Sequence, residues 1–164
     1  MSRGPYLDLL ASLHEARVRY AIAGGFAVVL HGVPRMTFDL DLVFDLAEDN
    51  LRRAVDVLQS EGYRPRLPVP LRDLTDEAKR RQWIDERNLI AFTLRHPERP
   101  MEEVDILLVV PLPWEETAAS TVTRMLDDVP AVVVGRAVLR AMKLATGREK
   151  DRADAELLGD DDDE

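Results

Sequence analysis

No cysteine occurs in the 164-residue chain. Disulfides, thiolate metal centres and cysteine nucleophiles are thereby excluded, and a reducing compartment is compatible with the sequence. No apolar run approaches the roughly 20 residues needed to cross a bilayer. The first ten residues mix charge with hydrophobics and lack the apolar core of a secretory signal. A cytoplasmic protein with no membrane partner is expected. Histidine is scarce. His14, His31 and His96 are scattered, with no zinc-ligand spacing. Neither a Walker loop, a Gly-x-Gly-x-x-Gly turn nor a Ser–His–Asp order is present, which leaves Rossmann and hydrolase readings unsupported.

What is present is ordinary globular composition: 46% hydrophobic and 32% charged residues, enough for one domain with a buried core. Net charge is −9. The five acids Asp160–Glu164 supply five of those charges and leave a body at −4. That mild acidity argues against a broad nucleic-acid-binding face. The expected organisation is a single domain over 1–158. Its core lies at about 18–111, a C-terminal helical part at about 112–158, and an acidic disordered tail at 159–164.

Hydrophobic spacing predicts a first amphipathic helix over Tyr6–Arg17 and a buried strand over Val18–Ala23. Gly24-Gly25 ends the strand, and a short helix runs to His31 before Gly32 and Pro34 stop it. Thr37–Phe44 reads as a strand. Asp45 and Glu48 read as a capping box opening a helix to Glu61. A Pro- and Arg-rich loop follows over Tyr63–Leu71, then a helix over Asp76–Glu86 and strands at Leu89–Leu94 and Val104–Val110. Pro113 opens a short helix, Ala131–Val134 is a further short strand, and Arg136–Leu158 is helical with a break near Gly147. The fold class is α/β (α+β): a mixed sheet flanked by helices.

Side chains two apart on a strand share a face, so Asp39 and Asp41 project together while Phe38, Leu40 and Leu42 project oppositely. Two carboxylates ~7 Å apart repel, and oxygen-only anionic ligation suits Mg²⁺ or Mn²⁺. Asp105 sits within a second apolar strand, a costly place unless it is paired or metal-bound. With strands ~4.8 Å apart it can complete a three-carboxylate cluster. Taken alone, Asp-x-Asp is a common surface alternation. Gly24-Gly25 is either a tight turn or a close approach to phosphate at a helix start.

These residues together resemble a known family. The stretch GGFAVVLHGVPRMTFDLDLVF, Gly24–Phe44, looks like the signature of the nucleotidyltransferase superfamily, whose fold is DNA polymerase beta-like. Arg35 and Thr37 before the acids make it similar to AbiEii-like and MNT-like bacterial nucleotidyltransferases of toxin–antitoxin and phage-defence systems. Glu103–Leu107 looks like the strand of the third acid. Leu139–Leu158 resembles the Lys-containing C-terminal helices of AbiEii-like proteins. The resemblance implies an enzyme that moves an NMP group from an NTP, such as ATP, to a hydroxyl of an RNA, protein or small-molecule acceptor. By that resemblance Asp39, Asp41 and Asp105 are catalytic and bind Mg²⁺ or Mn²⁺. Gly24, Gly25, Arg35, Thr37, Lys143, Lys150 and Asp151 bind the nucleotide. A cognate toxin or antitoxin is an implied partner. The alternative is a catalytically weak binding module of the same fold, an antitoxin-like partner protein.

Several residues keep two readings. Arg35 either holds phosphate or pairs with Asp39 or Asp45. Lys150 belongs either to the site or to a solvated face. His31 is read as a capping or core residue, and His14 and His96 as surface residues. The cluster Arg64, Arg66, Arg72, Lys79, Arg80 and Arg81 either guides an anionic acceptor or forms a solvated, acid-interleaved surface. Trp83 and Trp114 suit burial better than base stacking.

Overall fold

A computed structural model describes residues 3–159. Of the tail expected at 159–164, residues 160–164 lie outside them. In chain order the elements are α1 (Leu7–Glu15), β1 (Tyr20–Ala23), α2 (Gly24–Leu30), β2 (Asp39–Phe44), α3 (Glu48–Ser60) and β3 (Arg64–Pro65). A 3₁₀ turn at Leu71–Thr75 leads to α4 (Glu77–Arg87), β4 (Ala91–Arg95), β5 (Glu103–Leu107) and α5 (Trp114–Ser120). The chain ends in β6 (Val122–Leu126), β7 (Val129–Val133), α6 (Arg136–Ala145) and α7 (Glu149–Leu158).

The strands form one mixed sheet of seven, in the order β3-β4-β5-β2-β1-β7-β6. β2 runs antiparallel to β1 and parallel to β5. Alternation along the central strands decides which face is covered. Leu40, Leu42, Phe44, Val104, Ile106, Phe92 and Leu94 are buried. They join Leu9, Leu10 and Leu13 of α1 and Leu51, Ala54 and Leu58 of α3 in one core. Each of the Leu, Val, Ile and Phe side chains among them contributes about 1.5–3 kcal/mol when fully buried. Trp83 of α4 stacks on Phe92 at 5.1 Å, so this tryptophan is a core residue. The residues between them, Asp39, Asp41, Glu103, Asp105 and Thr93, belong to the opposite face.

Several local expectations are corrected. Asp45 and Glu48 form no capping box. Ala47 is the residue before α3, Asp45 accepts its N–H at 3.1 Å and pairs with Arg19 at 2.6 Å, while Glu48 pairs with Arg52. His96 is buried, bonded to the Glu61 carbonyl at 3.0 Å and set edge-on to Tyr63. β6 lies in the stretch expected to be helical. It makes a hairpin with β7 around Asp127 and Asp128, and Asp127 takes a φ of 55°. The hairpin joins the main sheet through the Ile22–Val133 register. Near Gly147 the last helix does break, at a φ of 70°.

Candidate active site

The strand register brings the acids together. Asp41 stands opposite Asp105, and Asp39 opposite Glu103, on the adjoining parallel strands β2 and β5. Partners in register share a face, so four carboxylates occupy one patch of sheet. Burial pushes the Asp41 carboxyl up to about 7, the nearby Asp105 and Asp39 charges add to that rise, and Lys143 and Arg148 oppose it. Asp105 is also raised, first by burial and then by Asp39. A hydrogen bond from Thr93 (2.6 Å) and the charges of Arg66 and Arg95 hold it down. Burial raises Glu103 as well, followed by the Asp39 charge beside it. The patch therefore carries anionic charge that the protein only partly offsets.

The glycine pair makes this geometry possible. Gly24 lies in the left-handed region at φ 63°, and a Cβ there would collide with the Asp41 carboxylate. A Cβ on Gly25 would come within 2.6 Å of the Thr37 hydroxyl and 3.4 Å of the Arg35 guanidinium carbon. The turn thus seats Asp41 and Thr37 against bare backbone.

A cleft of about 550 Å³ opens beside Asp41 and Gly24. One wall is apolar, from Ile90, Leu107, Val109 and Leu139; Lys143, Arg148 and Asp151 add the charged groups. Ile90 and Val109 are exposed large hydrophobics, so the wall is open to solvent. Lys143 pairs at 3.1 Å with both Asp151 and Asp154, two acids buried in α7. Burial raises Asp151, but hydrogen bonds from Thr146, Lys143 and Arg148 outweigh it and hold the carboxyl below its usual range.

The candidate residues divide accordingly. Asp39, Asp41 and Asp105 come together, and Gly24, Lys143 and Asp151 line the adjacent cleft. Arg35 pairs neither with Asp39 nor with Asp45. It reaches Asp154 in α7 and ties the loop before β2 to the C-terminal helices. Lys150 is exposed and is not among the residues that line the cleft. His31 is buried, with Nε2 bonded to the Val134 carbonyl at 2.7 Å. Of the basic cluster, Arg80 is buried and donates to the Leu74 carbonyl, and Lys79 and Arg81 pair with Asp73 and Glu77. Glu103 was not singled out in the sequence, although Glu103-Val104-Asp105 has the same spacing of two that marks Asp39 and Asp41.

No protein-family model matches the chain, and neither does any curated protein sequence. Solved structures do match. The antibiotic-resistance factor ANT(2'')-Ia superposes with a TM-score of 0.58 at 13% identity, over 92% of this chain and 78% of that one. The lincosamide antibiotic adenylyltransferase LnuA, in its lincomycin-bound structure, gives 0.51 at 18% identity, over 89% of each chain. An antigenic nucleotidyltransferase-like protein from Paracoccidioides brasiliensis gives 0.50 at 19% identity, over 93% of this chain and 71% of that one.

The fold is nucleotidyltransferase-like. At such identities the likeness concerns architecture, and the chemistry has to be argued from the side chains themselves. On a nucleotidyltransferase-like sheet, the paired acids of β2 and β5 beside the Gly24-Gly25 turn form the concentrated polar feature next to the apolar cleft.

The donor set can be tested for a divalent cation. Asp41 and Asp105 are adjacent oxygen donors whose mutual repulsion a cation would relieve. Among the described residues, no three His, Asp or Glu side chains are drawn close enough to form a ready-made metal cage. An open pair of carboxylates still fits Mg²⁺, which keeps several waters and is commonly held by one or two carboxylates together with substrate phosphates.

Proposed function

We propose that the protein is a nucleotidyltransferase moving an NMP group from an NTP to the hydroxyl of an acceptor, with Mg²⁺ or Mn²⁺ as cofactor. The observation that carries this reading is the pairing of Asp41 with Asp105 across β2 and β5, beside Asp39 and at the mouth of the cleft. Asp41 and Asp105 would hold the metal, with Asp39 on the same face. A bound divalent ion would supply Lewis-acid stabilisation of charge developing at the α-phosphate.

The chain's own residues do the rest. Gly24 and Gly25 leave backbone open to close approach by phosphate. Lys143 and Arg148, in the cleft beside Asp41, balance the triphosphate charge. For Lys143 this means exchanging one anionic partner for another, since Asp151 and Asp154 hold it beforehand. The apolar wall at Ile90, Leu107 and Val109 suits a base or another flat apolar group. The acceptor oxygen attacks the α-phosphorus, the bond to the β-phosphate oxygen breaks, and pyrophosphate leaves with the electron pair. The hydroxyl proton passes to Asp105, the carboxylate that stands in register with Asp41 on the neighbouring strand. Arg35 and Asp151 act as positioning residues through the α7 network, and Thr37 packs beneath the glycine turn.

An AbiEii-like or MNT-like role within a cytoplasmic toxin–antitoxin pair is the finer form of this reading. It rests on the motifs of Gly24–Phe44 and Leu139–Leu158. A second reading, an antitoxin-like binding module, is favoured by one observation: Lys143 is already satisfied by two buried acids. Incubation with NTPs labelled at the α-phosphate, Mg²⁺ and panels of RNA, protein and small hydroxyl acceptors separates the two. Metal-dependent label transfer that Asp41→Asn and Asp105→Asn abolish supports the enzyme. Label transfer that survives both substitutions refutes the mechanism. Tight capture of a protein partner without Mg–NTP binding favours the module.

A further inference from the structure

The carboxylate patch lies between two basic regions. Toward the Leu107 end of β5, Lys143 and Arg148 line the cleft together with Gly24, Asp41, Leu107 and Ile90. On the β4 side, the register continues the same face outward: Arg64 pairs with Arg95, which pairs with Glu103, which pairs with Asp39. One row inward run Thr93, Asp105 and Asp41. Arg66 extends that row, its N–H bonded to the Thr93 carbonyl at 2.9 Å. Arg64, Arg66 and Arg95 are all exposed. Among the described residues Arg64 and Arg66 form no salt bridge, and Arg95 reaches Glu103 only at 3.8 Å. Three guanidinium groups thus stand on an otherwise acidic face with most of their hydrogen-bonding capacity unused.

In-line displacement assigns the two sides different work. The leaving and attacking oxygens lie on opposite sides of the phosphorus. If pyrophosphate departs toward the Lys143–Arg148 cleft at the Leu107 end, the acceptor hydroxyl enters from the other end of β4 and β5, where Arg95 stands in register with Glu103 and Arg64. That side carries the arginines. Arginine forks match phosphate oxygens in a bidentate way, and such charge-assisted bonds are stronger than neutral ones. The same strip would repel a cationic acceptor.

Building on the nucleotidyltransferase reading, we propose that Arg64, Arg66 and Arg95 form the acceptor subsite and bind a phosphate group that the acceptor carries near its reacting hydroxyl. The structural alternative is that these arginines only guard the exposed edge at β3 against strand pairing.

Two measurements on the full chain test this. The first is binding of a fluorescent short oligoribonucleotide with a free 3′-hydroxyl, with a nucleoside 5′-monophosphate as the small phosphorylated competitor and an uncharged nucleoside and a cationic amino sugar as comparisons. The second is transfer of α-labelled NTP to the same four acceptors with Mg²⁺, alongside calorimetry of Mg–NTP binding. Phosphate-bearing acceptors are expected to bind and to be labelled. The oligonucleotide prevailing over the monophosphate identifies a polynucleotide end, and the reverse a small phosphorylated acceptor. R66A and R95A are expected each to raise acceptor KM or Kd about tenfold, with Mg–NTP affinity changed less than threefold. K79A, whose charge pairs with Asp73, is the surface control. Equal binding of the uncharged nucleoside or the amino sugar overturns the proposal. So does a change below twofold in both arginine variants, the result expected of edge guards. If Mg–NTP binds while phosphate-bearing acceptors do not, the acceptor subsite is wrong and the nucleotidyltransferase reading stands. If phosphate binding depends on the arginines but Mg–NTP never binds, the subsite stands as a phosphate site and the enzyme reading falls.

Discussion

At the scale of single residues, Asp41 carries the greatest electrostatic strain in the site. Its carboxyl, ordinarily near 3.8, is raised to about 7 by burial and by Asp105. The folded state therefore keeps a proton that the unfolded chain releases, so stability falls as pH rises from about 4 to about 7. A shift of this size corresponds to a loss on the order of 4 kcal/mol by pH 8. Denaturant unfolding of metal-free protein at pH 5, 6.5 and 8 is expected to show that decline, and Asp41→Asn is expected to flatten it. Equal slopes in the two proteins would show that Asp41 is not the group responsible. Gly24 is coupled to it sterically. Gly24→Ala is expected to cost about 1–3 kcal/mol through its positive φ and its collision with Asp41. In a double-mutant cycle with Asp41→Ala, part of that cost should be recovered. An additive cycle would remove the steric link. The shared face of Asp39 and Asp41 was legible in the sequence because strand periodicity fixes a face without knowledge of the fold, and Asp105 stood out as an acid within an apolar strand. Glu103 obeyed the same rule and was passed over. Arg35 was not legible, since its partner Asp154 lies 119 positions away and no local pattern encodes that contact.

At the scale of elements, the C-terminal pair α6 and α7 closes the cleft, and Lys143 fastens one helix to the other. Its ammonium and the carboxylates of Asp151 and Asp154 are all largely buried. Removing the cation takes one of two cationic partners from each acid, with Arg148 remaining on Asp151 and Arg35 on Asp154, and the expected cost is about 1–3 kcal/mol, below that of a fully broken buried pair. Lys143→Met is expected to lose about that much by urea denaturation and to expose α7 to hydrogen exchange while β2 and β5 stay protected. Uniform loss of protection, or none, would contradict a local latch. Sequence reading located the break between these helices, because Gly147 interrupts an otherwise helical run. It missed β6. Pro130 within the partner strand weakened the hairpin signal, and Asp127-Asp128 lacks the glycine that marks a tight two-residue turn. It also placed His96 on the surface, because local pattern does not disclose the Glu61 carbonyl and Tyr63 ring that bury it.

At the scale of the whole molecule, the sheet sorts its residues into a greasy face and a working face. The working face grades from acidic at β2 and β5 to basic at β4 and β3. The mixed α/β class followed from the spacing of hydrophobic runs. The strand order did not, because the parallel pairing of β2 with β5 spans α3, β3, the 3₁₀ turn, α4 and β4. That pairing is what converts two acids on one strand into a cluster, and the functional proposal depends on it. The most direct test is calorimetric titration of Mn²⁺ together with a non-hydrolysable NTP into wild-type protein, Asp41→Asn and Asp105→Asn. Metal-dependent nucleotide binding by the wild type, weakened at least tenfold in both variants, is the expected result. Binding that is the same in all three proteins, or absent from the wild type, would contradict the assignment of these paired carboxylates as the seat of the reaction.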